Sequence, residues 1–324
     1  LGGGITFPLQ AKEEFLALLP FTPTAAQSRV MDETAADMTS GRIMNRLVQG
    51  DVGSGKTAVA AYAGWLCAKG GFQSALMAPT EVLAEQHFRS LSQLLAPAGV
   101  RVGLLTGSMR TAEKQKVRAA LAAGDIDFVV GTHALISEGV TFHALALIVA
   151  DEQHRFGVAQ RAALAAKSGQ NVSPHVLVMS ATPIPRTLAL IIYGDLDVSV
   201  IDQLPPGRTP IATYVVREDK RQRMYNFVRR QVAEGRQAYI ICPAVEDNPD
   251  AALPGEESPA LNLKAVKTYA ETLQKEIFPD LRLGILHGKM RPREKEAAMS
   301  AFSSGETQVL VATTVVEVGV DVPN

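Results

Sequence analysis

Cysteine is almost missing from this chain of 324 residues: only Cys67 and Cys242 occur, far apart. Two distant thiols argue against a disulfide framework, and without paired Cys or His spacing no zinc site is expected. Long apolar runs are missing too; none reaches the roughly 20 residues needed to span a bilayer, so no membrane partner is expected. The opening LGGGITFPLQ has no basic segment leading into an apolar one and does not read as a signal peptide. A reducing cytoplasm is the expected compartment. Neither sign of charge dominates: 32 Lys and Arg stand against 33 Asp and Glu. With no global basic field, charge alone counts mildly against a nucleic-acid partner, although helix N-termini and loop amides hold phosphates without net charge. Apolar residues are plentiful at 47%, ample for burial, and the length predicts two domains. Leu1 and Asn324 both read as cuts in a longer protein.

Short apolar runs alternate with longer amphipathic or Ala-rich segments. Strands are expected at Arg46–Val48, Ser74–Ala78, Val100–Leu105, Ile126–Val130, Ala146–Ala150 and Val176–Met179. Helices are expected between them, at Thr57–Lys69, Glu81–Leu95 and Thr111–Ala122. This rhythm predicts an α/β fold, a parallel sheet covered on both faces, with ligands bound beyond the C-terminal strand ends. The segment Asp202–Pro210, DQLPPGRTP, reads as a linker, dividing a domain at 1–204 from a second at 205–324. In the second domain strands are expected at Ala212–Val216, Ala238–Cys242, Leu283–His287 and Val309–Ala312, and helices at Asp219–Glu234, Leu263–Phe278 and Arg293–Ser303. The acidic, Pro-rich stretch EDNPDAALPGEESP from Glu246 is expected to be a mobile insert.

Two motifs carry the chemistry. GDVGSGKT, Gly50 to Thr57, fits G-x-x-x-x-G-K-[ST] at every fixed position and lies between a predicted strand and a predicted helix. Such a turn aims backbone N–H groups at phosphate oxygens, and the helix N-terminus adds partial positive charge. Gly50, Asp51, Val52, Gly53, Ser54, Gly55, Lys56 and Thr57 are the candidate phosphate cradle. Lys56 is expected on the β- and γ-phosphates and Thr57 on magnesium. DEQH, from Asp151 to His154, follows the apolar run ALALIVA. Asp151 is the expected magnesium partner, and Glu152 the general base that orients the attacking water. Together the motifs indicate nucleoside triphosphate hydrolysis, and the DEQH form points to a nucleic-acid motor. No NKxD-type or LSGGQ-type segment occurs, which argues against a small GTPase and a transporter ATPase.

Weaker signals surround these. His154 is either a coupling residue or a surface histidine in a turn. Ser180 and Thr182, in SAT, could couple the site to domain movement or merely cap a helix. Gln27, after FTPTAA, has an amide able both to donate to and to accept from an adenine edge. His87, His143 and His175 are expected to be structural, as no metal-ligand spacing links them. Six basic residues from Arg217 to Arg230 interleave with Glu218, Asp219 and Glu234, and a solvated helix face is favoured over a nucleic-acid face. Trp65, the single tryptophan, is expected in the core.

With these motifs in order the chain resembles superfamily 2 helicases and, within them, the RecG family. GDVGSGKT, APTEVLAEQH, GTHALISEGVTF, DEQHRFGVAQR, MSATPIPRTLAL, YGDLDVSVIDQLPPGR, LHGKMRPREKEAAMSAF and VLVATTVVEVGVDVPN all look like that family's blocks. DEQHRFGV and YGDLDVS are the most specific of them. Transcription-repair coupling factor shares RFGV and TPIPRTL and is less similar in the YGDLDVS region and in GDVGSGKT. The resemblance implies two RecA-like P-loop domains, the second truncated. It also implies ATP and Mg2+ as cofactors and a bacterial, nucleoid-associated, monomeric motor. That motor translocates on double-stranded DNA and remodels branched DNA such as stalled forks and Holliday junctions, in recombination and repair. Single-strand-binding or replication-fork proteins are further implied partners. Residue by residue, Gln27 would contact adenine, and Ser180, Thr182 and His154 would couple hydrolysis to movement. Pro79, Thr80, Thr132, His133, His287, Gly288 and Thr313 would face DNA. Glu317, Gly319 and Asp321, with Thr313, match a block that touches DNA and nucleotide, Gly319 and Asp321 on the nucleotide side. The family also carries an N-terminal wedge domain and an arginine-bearing block that match nothing in this sequence. The chain alone is therefore expected to hydrolyse ATP poorly, and an ATP-responsive DNA-binding module without turnover stays open as an alternative.

Overall fold

The computed structural model describes residues 11–151, 163, 164, 166, 167, 173–181, 196–203, 211–242, 259–288 and 290–313. The chain divides into two compact units, Leu1–Thr209 and Pro210–Asn324.

In the first unit the described elements run α1 (Ala11–Leu16), α2 (Ala25–Thr39), β1 (Asn45–Gly50), α3 (Lys56–Lys69), β2 (Gln73–Met77), α4 (Glu81–Leu95), β3 (Val102–Leu105), α5 (Thr111–Ala123), β4 (Phe128–Gly131), β5 (Leu145–Asp151), β6 (His175–Ser180) and β7 (Asp197–Ile201). The seven strands form one sheet in the order β3-β4-β2-β5-β6-β1-β7, with every pair parallel. Parallel strands need crossovers, and α3, α4 and α5 supply those that follow β1, β2 and β3. The central strands are apolar and buried along nearly their whole length, as a sheet covered on both faces requires.

The helices differ according to what they touch. All ten residues from Ala58 to Cys67 of α3 are buried, and α3 packs against α1, α2, α4 and the sheet. A helix enclosed in this way carries no polar face. By contrast α4 buries one stripe, Leu83, Ala84, His87, Leu91 and Leu95. Its start is set by the N-cap Thr80, whose hydroxyl accepts from Leu83 N–H at 3.3 Å. In α2 a capping box joins Thr24 and Gln27.

The second unit has α6 (Arg221–Ala233), β8 (Ala238–Ile241), α7 (Pro259–Thr272), β9 (Leu283–Leu286), α8 (Pro292–Ser303) and β10 (Val309–Ala312). Its three strands are parallel, in the order β8-β10-β9. Tyr225, Val266, Ala270, Leu273, Phe278 and Val311 pack its larger apolar cluster.

Two expectations need correction. Ala212–Val216 is not a strand: residues 211–217 take no regular structure, with Ile211 and Tyr214 80% exposed and Val215 98% exposed. The alternation in IATYVV suits a pleat, but a strand also needs a hydrogen-bonding neighbour, and among the described residues this segment has no ladder partner. Conversely β7 was not expected, because Asp197 and Val200 are exposed on an edge strand, which blurs its apolar signal. Within the basic group, Arg221 pairs with Glu218 at 2.9 Å and Arg229 with Asp280 at 3.3 Å. The acidic insert, from 246 to 258, and linker residues 204–210 lie outside the described residues.

Candidate active site

The strand order brings the motifs of the first unit to one edge. Read across the C-terminal ends, β4 leads to Thr132 and His133, β2 to Pro79 and Thr80, β5 ends at Asp151, β6 at Ser180 and β1 at Gly50. Strand β6 lies between β5 and β1, and the register is tight: Asp151 sits beside Met179, and Ser180 beside Gln49. Two strand spacings of about 4.8 Å put the Asp151 and Val48 backbones ~10 Å apart, with Gly50 two residues further along β1. Side chains and loop amides can converge across that distance.

The loop after β1 is built by close packing. Gly53 and Gly55 adopt left-handed φ of 75° and 88°, and Gly55 is the N-cap of α3. A Cβ on Gly55 would strike the Gln27 amide, and one on Gly50 would strike Ser54 Oγ. Ser54 N–H donates to Asp51 O at 3.0 Å, and Val52 N–H to Asp51 Oδ1 at 2.8 Å. The Lys56 ammonium donates to the carbonyls of Gly50 at 2.6 Å and Asp51 at 3.0 Å. It therefore arches back over the turn. Lys56 and Thr57 open α3, whose first-turn amides have no intrahelical acceptor. Ser54 Oγ is fully buried, with no hydrogen-bond partner among the described residues. Left-handed glycines, an orphaned hydroxyl, a lysine over the turn and a helix N-terminus together fit a polyphosphate.

Gln27 stands at the third position of α2 and is 1% exposed. Its Nε2 donates to Ser54 O at 2.8 Å, and its Oε1 accepts from Thr24 N–H at 2.8 Å. The amide thus spans the loop and the start of α2. Ser180 is fully buried at the end of β6. Thr132 is buried, whereas His133 is exposed in a single helical turn. In the second unit, His287 follows β9 and is buried, Gly288 is exposed, and Thr313 follows β10 with its N–H donating to Leu286 O at 3.1 Å. Glu152, His154, Thr182, Glu317, Gly319 and Asp321 lie outside the described residues.

One residue read as structural stands at the site. His87 Nε2 lies 2.6 Å from Asp151 Oδ2. A histidine in the buried stripe of an amphipathic helix must have a polar partner, so the spacing Leu83, His87, Leu91 held the signal without identifying the partner. His143 and His175 lie away from this edge: His175 opens β6 at its opposite end.

Residues 24–191 match the family described as DEAD/DEAH box helicase, and residues 219–324 match the helicase conserved C-terminal domain. The chain is 53% identical over 312 residues to an ATP-dependent DNA helicase RecG of Synechocystis, covering 96% of this chain and 36% of that protein. To an Escherichia coli ATP-dependent DNA helicase RecG it is 50% identical over 315 residues, covering 97% of this chain and 44% of that protein. Among solved structures, RecG bound to a three-way DNA junction superposes with a TM-score of 0.80 at 41% identity, covering 99% of this chain and 40% of that one. The chain thus spans well under half the length of these relatives. No helix among the described residues is long and apolar enough to cross a membrane. With its motifs on one sheet edge and these matches along its length, the chain belongs to the DEAD/DEAH box helicase family and is homologous to the RecG ATP-dependent DNA helicases.

Proposed function

We propose that this chain is the motor portion of an ATP-driven double-stranded DNA translocase that remodels branched DNA. The observation that carries this reading is the adjacency of β5, β6 and β1, which sets Asp151, Ser180 and the Gly50–Thr57 loop on one edge. The DNA-junction complex of the RecG relative supports the choice of substrate. In this reading residues 1–204 form the ATP-binding domain and 205–324 the C-terminal helicase domain. Loop residues Gly50–Gly55 and the N-terminus of α3 hold the phosphates, and Lys56 leaves its two carbonyls for the β- and γ-phosphates. Thr57 and Asp151 hold Mg2+, which would neutralise charge on the phosphates. Glu152 orients the attacking water, and Gln27 ties adenine recognition to the loop through Ser54. Ser180, Thr182 and His154 couple the site to domain movement. Pro79, Thr80, Thr132 and His133 contact DNA from the first domain, and His287, Gly288 and Thr313 from the second. Gly319 and Asp321 approach the nucleotide.

The test is binding and hydrolysis of ATP, with and without forked DNA, beside Lys56→Ala. Loss of the charge-assisted lysine contacts should weaken nucleotide binding about tenfold or more. Equal binding by Lys56→Ala and the unaltered chain would sink the phosphate-loop assignment. Lys56-dependent nucleotide binding with little turnover is the outcome expected of this motor portion alone, and strong stimulation of hydrolysis by forked DNA would show that no arginine-bearing block beyond these residues is needed.

A further inference from the structure

The Asp151 carboxylate is held in place at its strand end. Its Oδ2 lies 2.6 Å from His87 Nε2, and the two side chains are only 13% and 10% exposed. His87 projects from α4, whose buried stripe packs on β3, β4 and α3. The start of that helix is fastened twice: by Thr80 Oγ1, accepting from Leu83 N–H at 3.3 Å, and by Glu81 Oε1, accepting from Ser108 N–H at 2.8 Å. A capped and packed helix of 15 residues gives the ring a fixed origin, about 10 Å along the axis from Thr80. We infer that His87 is a positioning residue for Asp151: it donates from Nε2 to one carboxylate oxygen and sets the rotation of the group. This inference rests on the reading of this edge as a Mg2+-nucleotide site.

An ionised carboxylate only accepts hydrogen bonds, so the contact requires the proton on Nε2. A ring N–H donating to an anion makes a short, charge-assisted bond. With Oδ2 held by the ring, Oδ1 keeps its lone pairs for a cation or a cation's water. Such partners of a metal-binding side chain are worth roughly 10- to 100-fold in metal affinity or activity. Among the described residues, His87 is the side chain that meets the Asp151 carboxylate, and it does so from a rigid helix.

The experiment titrates Mg2+ against binding of a fluorescent ATP analogue to the 324-residue chain, in the unaltered protein, His87→Leu, His87→Gln and Lys56→Ala. His87→Leu should need about tenfold more Mg2+, or greater, for half-maximal binding, with binding in EDTA unchanged. His87→Gln, whose Nε2 amide can stand near the ring nitrogen, should recover most of the loss. An unchanged Mg2+ midpoint in His87→Leu overturns the inference. So does a folded His87→Gln that behaves like His87→Leu. A long-range 1H–15N spectrum of the metal-free unaltered chain gives a check independent of the variants: His87 Nε2 should carry a proton, and a ring whose Nε2 carries none overturns the assignment. Wild-type nucleotide binding by Lys56→Ala would instead overturn the site reading beneath it.

Discussion

Individual polar residues under the sheet matter as much as those at its edge. His175 is buried at the start of β6, and its Nδ1 accepts from Met44 N–H at 2.9 Å. Burial holds the ring below its usual 6.5, with Asp37 pulling partly the other way. Below about pH 6.5 the unfolded chain takes up a proton at His175 that the native chain refuses. This contribution is therefore complete above that pH and is lost as pH falls. Urea midpoints measured at about pH 7.5 and about pH 5.5 should drop more for the unaltered chain than for His175→Asn. Asparagine retains an acceptor for Met44 but cannot titrate. An equal drop in both would assign the acid sensitivity elsewhere. At this scale the sequence was informative about residue type and silent about partners. Lys56 and Asp151 were legible because their neighbours form patterns. His87 was not, because its partner is 64 positions away, and only the fold, which lays α4 over β3 and β4, brings them together.

Among elements, the close approach of α3 to the sheet is the most exacting. Gly64 lies inside α3, and a Cβ there would enter the Phe128 ring on β4, which is itself fully buried. Alanine would gain about 1 kcal/mol of helix propensity. Overpacking against a ring that cannot retreat costs about 1–3 kcal/mol, and we expect it to win. Gly64→Ala should lower the urea midpoint, and combining it with Phe128→Leu should cost less than the two changes summed. Strict additivity would show that the ring does not constrain the helix. The legibility of the elements follows a physical rule. Strands β2, β5 and β10 are buried apolar runs, and helix α4 is a clean stripe, so pattern alone located them. Edge strand β7 carries half a stripe, and 211–217 carries a strand pattern without a ladder partner among the described residues. Both depend on ladder partners that local pattern cannot reveal. The π turn at Leu273–Ile277 that follows α7 is likewise absent from any apolar periodicity.

For the molecule as a whole, the single tryptophan is a useful accident. Trp65 is buried in α3 against Phe15 and Tyr62, inside the first compact unit, so its fluorescence follows that unit alone. Unfolding followed by Trp fluorescence and by far-ultraviolet circular dichroism should not coincide, since the second unit contributes only to the latter. Mg2+-ATP at a hundredfold excess over Kd should stabilise the first unit by about 2.7 kcal/mol and raise the fluorescence midpoint accordingly. Coincident curves would mean that the two units unfold as one. The strand order carries a last consequence, for synthesis. Strand β1 pairs only with β6 and β7, which arrive 125 residues or more after it. On the ribosome the Gly50–Thr57 loop emerges before the strands that flank β1, which are in place only when Ser180 and then Ile201 have left the tunnel. The loop's final setting is thus acquired only after the stretch between β1 and β6 has been made, and that stretch must stay soluble while it waits.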